Sequence, residues 1–334
     1  MLTFYNEHHA QQGASGATAP WDEQPDAVAL TLAEFERRGL GRIVTPHGVP
    51  LVSLERVHTP RYLHFLRTAW STWNALDASD AGQPLLPILW PPRGAPGEPE
   101  PEDFLARLGL FASDGRTPIT GGTWTAARTG ADCAINAAHA LRVGERASFA
   151  LTRPAGQHAR AEGFGGGCFL NNAALAAQHL LDDGLARVAI LDIARHHGHG
   201  TQDIFYARSE VLFVSIHLDP HQAYPFYAGH AGEQGVGAGL GANMNLPLSR
   251  DCGSGPWFAA LETACVKLAM FRPEALVVSL GGLATGFGLQ GGDFLRIGER
   301  LAHLGLPTTF VFEGGGTGGS TGVVSILEGF ETAA

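Results

Sequence analysis

The stretch from Arg187 to Gln202, RVAILDIARHHGHGTQ, predicts the architecture around it. Its first half, 188–193, is a run of apolar and β-branched residues, typical of a strand that is buried on both faces. The run ends abruptly in His196, His197 and His199, which are interleaved with glycines. Open parallel sheets carry their chemistry in the turns that follow their strands. We therefore expect the functional site at this end of the strand.

Composition excludes several classes of function. Of the 334 residues, 45% are hydrophobic, which is enough for a sizeable core, but no apolar run approaches the length of a membrane span. The net charge of −10 and the lack of a Lys/Arg cluster argue against nucleic acid, whose phosphates require a basic surface. The amino terminus lacks the pattern of a secretory signal, so we expect a cytoplasmic protein. The four cysteines show no CxxC spacing and are interpreted as reduced thiols.

Predicted strands and helices alternate along most of the chain. Residues 1–20 read as an arm or loop, and the first helices are predicted at 26–38, 61–76 and 124–141. Further strands are predicted at 147–151, 188–193, 211–217, 275–280 and 308–313, with helices at 168–182, 262–270 and 296–304. This alternation predicts an α/β fold in which one domain, 1–334, holds a parallel sheet covered by helices on both faces.

A proline-rich segment, 85–102, interrupts this pattern. Proline lacks a backbone N–H and fixes φ, so a segment this rich in it does not form regular structure. We interpret the segment as a loop that is either a lid over the site or a subunit contact.

Polar residues follow several of the predicted strands. Because the carboxyl ends of parallel strands meet at one edge of the sheet, these residues could share one cleft: Gln157, His158, Asp192, His196, His199, His217 and Glu313. For any one histidine the alternative is a hydrogen-bonded residue that orders a turn. For His197, which faces away from its neighbour His196, we favour that structural role.

At these residues the sequence resembles the arginase/deacetylase superfamily, and most closely the acetylpolyamine amidohydrolase branch of the histone deacetylase-like amidohydrolases. The resemblance rests on segments that occur in the family's order: TPITGGTW (117–124), RPAGQHA (153–159), GCFLNNAALAA (167–177), HHGHGTQDIFY (196–206) and VFEGG (311–315). It implies an eight-stranded parallel sheet and zinc-dependent amide hydrolysis. In that chemistry Asp, His and Asp hold zinc, two adjacent histidines handle protons, and a tyrosine polarises the carbonyl.

Carried over residue by residue, the resemblance assigns the metal-binding histidine to His196 and the second proton-handling histidine to His158. The other positions lack the family's functional groups: Ala194 and Leu283 replace the two zinc aspartates, Gly316 the tyrosine, and Gln157 the first of the paired histidines. One imidazole cannot hold a catalytic zinc, which needs about three protein ligands. We therefore predict a degenerate zinc site, no cofactor, and no ordinary deacetylase reaction.

The same substitutions predict a different pocket. Small residues at Gly167, Ala194 and Gly316 widen it, Leu283 makes its floor apolar, and Tyr224 remains as an aromatic wall. Such a pocket would suit a mid-sized, partly apolar small molecule.

Several polar groups remain that could act on such a ligand. The resemblance places His199 behind His158 and Asp192 behind Gln157, and imidazoles titrate near neutrality, so this set could transfer protons. It also implies that Asp192 and Ser215 could hold a structural potassium ion.

Three functions remain open. We favour a metal-independent acid/base enzyme (an isomerase, cyclase, condensing enzyme or hydrolase), with a role in secondary metabolism. The first alternative is a non-catalytic ligand-binding or partner protein, and the second is a zinc-dependent acetylpolyamine or amide deacetylase with unusual ligands. The expected partners are a small molecule and a second copy of the chain, because the branch that it resembles is commonly dimeric.

Overall fold

The computed structural model describes residues 1–12, 26–76, 82–91, 101–283, 285–314 and 319–333. Within these ranges eight strands pair side by side in one sheet, and every pairing is parallel. The strand order is β2-β1-β3-β8-β7-β4-β5-β6. The predicted α/β class and the eight-stranded parallel sheet are therefore confirmed.

The strands are short, and most are fully buried. Their bounds are β1 Leu2–Phe4, β2 Arg42–Val44, β3 Ala147–Ala150, β4 Val188–Asp192, β5 Val211–Leu218, β6 Asn243–Leu248, β7 Ala275–Leu280 and β8 Thr308–Phe312.

The helices lie on both faces of this sheet. Within the described ranges they are α1 Ala27–Arg38, α2 Leu51–Glu55, α3 Pro60–Leu76, α4 Phe104–Phe111, α5 Thr123–Arg142, α6 Asn172–Asp182, α7 His199–Phe205, α8 Ser254–Phe271, α9 Gly291–Ala302 and α10 Gly319–Thr332. None of the described helices is both long and apolar enough to cross a membrane.

The sheet separates two apolar clusters, and β4 shows why its sequence is continuously hydrophobic. Val188 and Ile190 pack into the cluster on one face, and Ala189 and Leu191 into the cluster on the other. Each such strand needs apolar side chains at every position, because neither face meets water. The alanine-rich α5 packs against the first face with its alanines buried.

Several boundaries differ from the predicted ones. The amino terminus is not an arm: Leu2–Phe4 forms β1, which pairs with β2 and β3, and the part of that prediction from 13 to 20 lies outside the described residues. Helix α6 begins at Asn172 and not at Cys168, because the Asn171 side chain caps it by accepting from the backbone N–H of Ala174 at 2.9 Å. Helix α8 is longer than predicted.

The first part of the proline-rich segment runs beside α4. Leu85 pairs with Ile119 in an isolated antiparallel bridge, and the indole N–H of Trp90 donates to the carbonyl of Ala112 at 3.0 Å. Residues 92–100 of the segment lie outside the described part of the chain. Its predicted role as a lid or a subunit contact stays a prediction.

Candidate active site

The ends of the central strands meet as predicted, and Glu313 joins three of them. One carboxylate oxygen of Glu313 accepts from the backbone N–H groups of Gly156 and Gln157 at 2.6 and 3.0 Å, after β3. The other accepts from the hydroxyl of Ser279 on β7 at 2.8 Å. Complete burial raises the pKa of Glu313 to about 7. Glu313 therefore positions Gln157 without facing a ligand itself.

Asp192 holds the loop that follows β4 through hydrogen bonds of the same kind. Its oxygens accept from the backbone N–H groups of Ala194 and Gly198 at 3.0 and 2.8 Å and from the Ser215 hydroxyl at 2.8 Å. Burial raises the pKa of this carboxyl to about 7. The prediction that Asp192 supports the side chain of Gln157 does not hold, because these contacts hold the loop instead. Its contact with Ser215 leaves the potassium site a prediction.

His158 and His199 form a buried pair, as predicted. Their Nδ1 atoms are 3.2 Å apart, and the rings stack with centroids 5.0 Å apart. Burial lowers the pKa of His199 to about 3 and the pKa of His158 well below its ordinary value, so both imidazoles are neutral near pH 7. One Nδ1 therefore donates to the other.

Tyr227 extends this pair, and the sequence did not reveal it. Its hydroxyl lies 3.2 Å from Nε2 of His199, and its side chain is partly exposed at the surface. The chain His158–His199–Tyr227 thus links a buried imidazole to the protein surface. Tyr227 follows Tyr224 by three residues in an irregular loop, where no helix or strand period indicates which side chains point inward.

Gln157 carries an unsatisfied polar group next to this chain. Its side chain is almost fully buried, its Nε2 lies 3.5 Å from Nε2 of His158, and its Oε1 makes no hydrogen bond. A buried amide oxygen without a partner costs about 1–3 kcal/mol. Such a group is expected where a ligand supplies the missing bond.

Tyr224 lies where an aromatic wall was predicted. Its ring meets the His158 ring edge-on with centroids 5.1 Å apart, and its centroid is 6.3 Å from that of His196. Burial raises the pKa of Tyr224, so its hydroxyl stays protonated. The imidazoles of His158, His196 and His199 therefore lie around the Tyr224 ring, and Gln157 lies beside His158.

His217 does not join this group. Its Nδ1 lies 2.8 Å from the Ser215 hydroxyl, and its Nε2 lies 2.9 Å from the carbonyl oxygen of Gly229. Its ring packs against His197, whose Nε2 lies 3.1 Å from Oδ1 of Asn245. The prediction that His217 shares the cleft is therefore wrong, and the structural role predicted for His197 is confirmed.

The small residues of the predicted pocket have different roles. Gly167 adopts φ +77°, which disfavours any residue with a Cβ, and its N–H donates to the Thr117 hydroxyl at 3.0 Å. Ala194 and Leu283 are buried. Gly316 lies outside the described residues, so the widening of the pocket stays a prediction.

Too few metal-binding side chains lie in this site for a three-ligand zinc. Ala194 and Leu283 have no donor atom, and Asp192 is engaged by its own loop, which leaves His196 as the family's zinc ligand. Catalytic zinc needs about three protein ligands, so the residues described here do not fit that ion. Within the described ranges, three convergent His, Cys, Asp or Glu ligand atoms occur at His139, His179 and Asp183.

Relatives of known name span the whole chain. The chain is 42% identical to acetylpolyamine amidohydrolase 1 of Pseudomonas aeruginosa over 100% of both proteins. It is 38% identical to the acetylpolyamine amidohydrolase of Mycoplana ramosa over 94% of both. The crystal structure of acetylpolyamine aminohydrolase from Burkholderia pseudomallei superposes with a TM-score of 0.91 and 35% identity, covering 100% of this chain and 99% of that one.

These relatives contradict two predictions. Full-length similarity to proteins named amidohydrolases favours amide hydrolysis, so the prediction of a metal-independent acid/base enzyme is wrong. The prediction that no cofactor is used is wrong for the same reason, because the resemblance implies zinc dependence for this branch. Both predictions rested on four positions, whereas the similarity extends over the entire chain.

A model of the histone deacetylase domain matches residues 22–316 of this chain. The chain therefore belongs to the histone deacetylase domain family, and within it to the acetylpolyamine amidohydrolase branch.

Proposed function

We propose that this chain hydrolyses the amide bond of an N-acylated amine, with acylated polyamines as the substrate class. The names of its full-length relatives support the reaction. The observation that carries it is the buried Gln157 amide beside Nε2 of His158, because the two groups can engage an amide and a proton at one point. The unsatisfied Oε1 of Gln157 would accept from the substrate's amide N–H.

His158 handles the proton in this proposal. Because burial lowers its pKa, its imidazole is neutral near pH 7, and Nε2 takes the proton from the attacking water. Water oxygen bonds to the acyl carbon, the C–N bond breaks, and the same nitrogen returns the proton to the leaving amine. The products are a carboxylic acid and an amine. The proton transfers of this proposal involve only side chains of this chain.

The contacts of His199 favour this role for His158. When Tyr227 accepts from Nε2–H of His199, Nδ1 of His199 accepts from Nδ1–H of His158, and Nε2 of His158 keeps its lone pair. When these two hydrogen bonds reverse, Nε2 of His158 carries a proton. The chain can therefore present Nε2 of His158 either as a proton acceptor or as a hydrogen-bond donor.

Charge near the pocket favours a cationic amine. The carboxylate of Asp114 accepts from the Gly166 N–H at 2.6 Å, and its charge acts on the hydroxyls of Tyr224 and Tyr227. The nearby Arg160 is paired with Asp203 at 3.1 Å. The net charge of −10 also attracts polycations over a longer range.

The test compares N-acetylputrescine with the neutral N-butylacetamide, with amine release measured in added zinc and again after chelation. We expect hydrolysis of the cationic amide at the lower KM. Asp114→Asn should raise KM for N-acetylputrescine and leave KM for the neutral amide unchanged. Absence of amine release under both conditions contradicts the proposal.

A second candidate is a protein that binds such an amine without turnover. It is favoured by the absence of donor atoms at Ala194 and Leu283. In this case calorimetry shows saturable binding of N-acetylputrescine, while no amine is released with zinc or without it. Amine release at a rate that depends on His158 excludes this candidate.

We also propose that the chain forms a homodimer through the segment 85–91. Leu86, Ile88, Leu89 and Trp90 are consecutive or nearly so, and all are exposed, whereas isolated apolar residues are the rule on a monomer surface. Light scattering should give twice the mass of one chain, and Ile88→Asp should shift the protein to monomer. A dimer of roughly micromolar affinity should form at about 50–100 times the assay concentration of the protein. Wild-type protein that is still monomeric at that concentration contradicts this proposal.

A further inference from the structure

The carboxyl-terminal ends of α5 and α6 bring three ligand side chains together, far from the candidate active site. His139 lies in the last turn of α5, His179 in the last turn of α6, and Asp183 caps α6. The two helices pack side by side and run antiparallel to the strands. This cluster therefore lies at the amino edge of the sheet, opposite His158.

Spacing on α6 puts His179 and Asp183 on one face, because residues four apart are neighbours on a helix. Nε2 of His179 lies 3.3 Å from Oδ2 of Asp183, and Nδ1 of His139 lies 3.5 Å from the same oxygen. All three ligand atoms lie within 4.8 Å of one another. Two imidazole nitrogens and one carboxylate oxygen thus surround a single point.

The distances agree with shared coordination. Two atoms that are each about 2.1 Å from a tetrahedral zinc lie roughly 3.4 Å apart, which is close to both nitrogen–oxygen distances. The side chain of His139 is 57% exposed and that of His179 is 22% exposed. The more exposed His139 can therefore move inward to shorten the distance between the imidazoles.

A simple ion pair explains the cluster less well. Nε2 of His179 is buried and makes no hydrogen bond, although Asp183 is 3.3 Å away, so its ring does not point at the carboxylate as a donor would. The two imidazole rings also lie close together, with centroids 5.6 Å apart.

The surroundings tolerate a cation. The carbonyl ends of α5 and α6 carry the negative ends of their helix dipoles. Of the nearby cations, Arg142 donates to the backbone carbonyl of Asp183 at 2.9 Å, and Arg56 pairs with Asp182 at 2.8 Å. Arg56 is thus paired with a neighbouring carboxylate, and Arg142 is bound to the backbone carbonyl of Asp183 and not to its side-chain oxygens.

We propose that His139, His179 and Asp183 form a surface site for a divalent first-row transition-metal ion, with zinc(II) as the test ion. Two imidazoles and a carboxylate suit zinc, nickel and copper better than magnesium or calcium, which prefer oxygen ligands. Bound metal would join the ends of α5 and α6.

Equilibrium dialysis of the full chain against zinc tests the site. Wild type should take up one equivalent more than His179→Ala and Asp183→Asn, or bind that equivalent roughly tenfold more tightly or better. Zinc should raise the Tm of wild type by more than it raises the Tm of either variant. His139→Ala, at the most exposed position, tests the same site with the least risk to folding.

Two variants are matched controls. His303→Ala removes an exposed histidine at the end of α9, and Asp182→Asn removes the neighbouring carboxylate that pairs with Arg56. Both should bind zinc as wild type does. Equal zinc uptake by wild type and all three site variants overturns the proposal, as does an equal loss in Asp182→Asn and Asp183→Asn. A magnesium titration that shifts Tm as much as zinc overturns the assignment of the ion.

Discussion

Two pairs of buried histidines lie near the carboxyl edge of the sheet, and they differ in what surrounds them. His158 and His199 stack beside an unsatisfied glutamine amide and lead through Tyr227 to the surface. His197 and His217 lie deeper, with ring centroids 4.5 Å apart.

The second pair is tied to the fold. Both nitrogens of His217 contact Ser215 and the carbonyl of Gly229, and Nε2 of His197 contacts Asn245 on β6. Burial lowers the pKa of both pairs, so the pKa shift does not distinguish them. Nδ1 of His197 also makes no hydrogen bond, so a free ring nitrogen does not distinguish the pairs either. The first pair differs in lying beside the Gln157 amide and in having a route for the proton through Tyr227.

Replacing one histidine in each pair should give opposite results for catalysis. His158→Ala removes the group that carries the proton, so we expect kcat/KM for N-acetylputrescine to fall about 10²–10⁴-fold. It also strands the buried Nδ1 of His199, so the free energy of unfolding should fall by about 1–3 kcal/mol as well. His217→Ala should leave kcat within about threefold but lower the free energy of unfolding by about 1–3 kcal/mol, because it strands two buried partners. Kinetics and urea unfolding of both variants measure this.

The predicted difference between the pairs is wrong if kcat falls as much in His217→Ala as in His158→Ala when the same fraction of each variant is folded. In that case the two pairs act as one network, and the distinction based on their surroundings is wrong.

Two carboxylates introduced beside His196 should show whether the surroundings of the first pair can hold zinc. Ala194→Asp with Leu283→Asp would complete a three-ligand set with His196, and zinc affinity at this site should rise roughly tenfold or more. Two buried carboxylates without metal destabilise the fold, so zinc should raise the Tm of the double variant more than that of wild type.

Ala194→Asn with Leu283→Asn is the matched control, since amides of the same shape are poorer zinc ligands. Equal zinc affinity in the Asp and Asn variants would mean that these positions do not face His196.

Stability should fall in acid, and both pairs should contribute. Burial lowers the pKa of His58 and His217 to about 4 and that of His199 to about 3, against 6.5 in the unfolded chain. Between pH 6.5 and about 4 the unfolded state binds protons that the native state does not. Each such histidine lowers the free energy of unfolding by about 1.4 kcal/mol per pH unit as pH falls.

Two buried carboxyls act in the opposite direction. Asp192 and Glu313, with pKa values raised to about 7, take up protons in the native state as pH falls toward 4, which stabilises it. Between pH 8 and 6.5 the two carboxyls bind protons in the native state before the unfolded histidines do, so the urea midpoint should change little. Between pH 6.5 and 5 the buried histidines outnumber the two carboxyls, so the midpoint should decrease. His217→Ala should reduce the slope by one proton. A midpoint that rises toward pH 5 contradicts the assignment.

The sequence predicts the sheet well, because burial on both faces forces continuous apolar strands such as Val188–Asp192 and Val211–Leu218. It misses β1 and β2, since three residues offer too little pattern to read, and it misses β6, whose residues are not continuously apolar. It misplaces the start of α6 because the Asn171 cap, and not apolar periodicity, sets that boundary.

At the site, the sequence brings the strand ends together correctly but cannot assign partners. The family pattern predicted that His199 lies behind His158. The contacts of Asp192 and Tyr227 depend on the conformation of loops, which the sequence pattern does not indicate. His217 appears equivalent to His158 in the sequence, because both follow or end a strand. The two histidines differ in the face of the sheet to which the side chain points, and successive residues of a strand point to opposite faces.

The smallest expected effect concerns Tyr227, the outer end of the first pair's chain. Tyr227→Phe removes one hydrogen bond to Nε2 of His199, worth about 1 kcal/mol, so kcat should fall roughly fivefold with KM unchanged. A purely structural tyrosine would leave the pH profile of kcat unchanged, whereas loss of the hydroxyl should shift its acid limb, because His199 no longer has a partner that fixes its tautomer. Nitrogen-15 NMR of the histidine side chains would show the same change directly.

Tyr206→Phe, elsewhere on the surface, is the control and should match wild type in both measurements. If Tyr227→Phe also matches wild type, the buried pair works without a connection to the surface, and the contrast with His197 and His217 then rests on Gln157 alone.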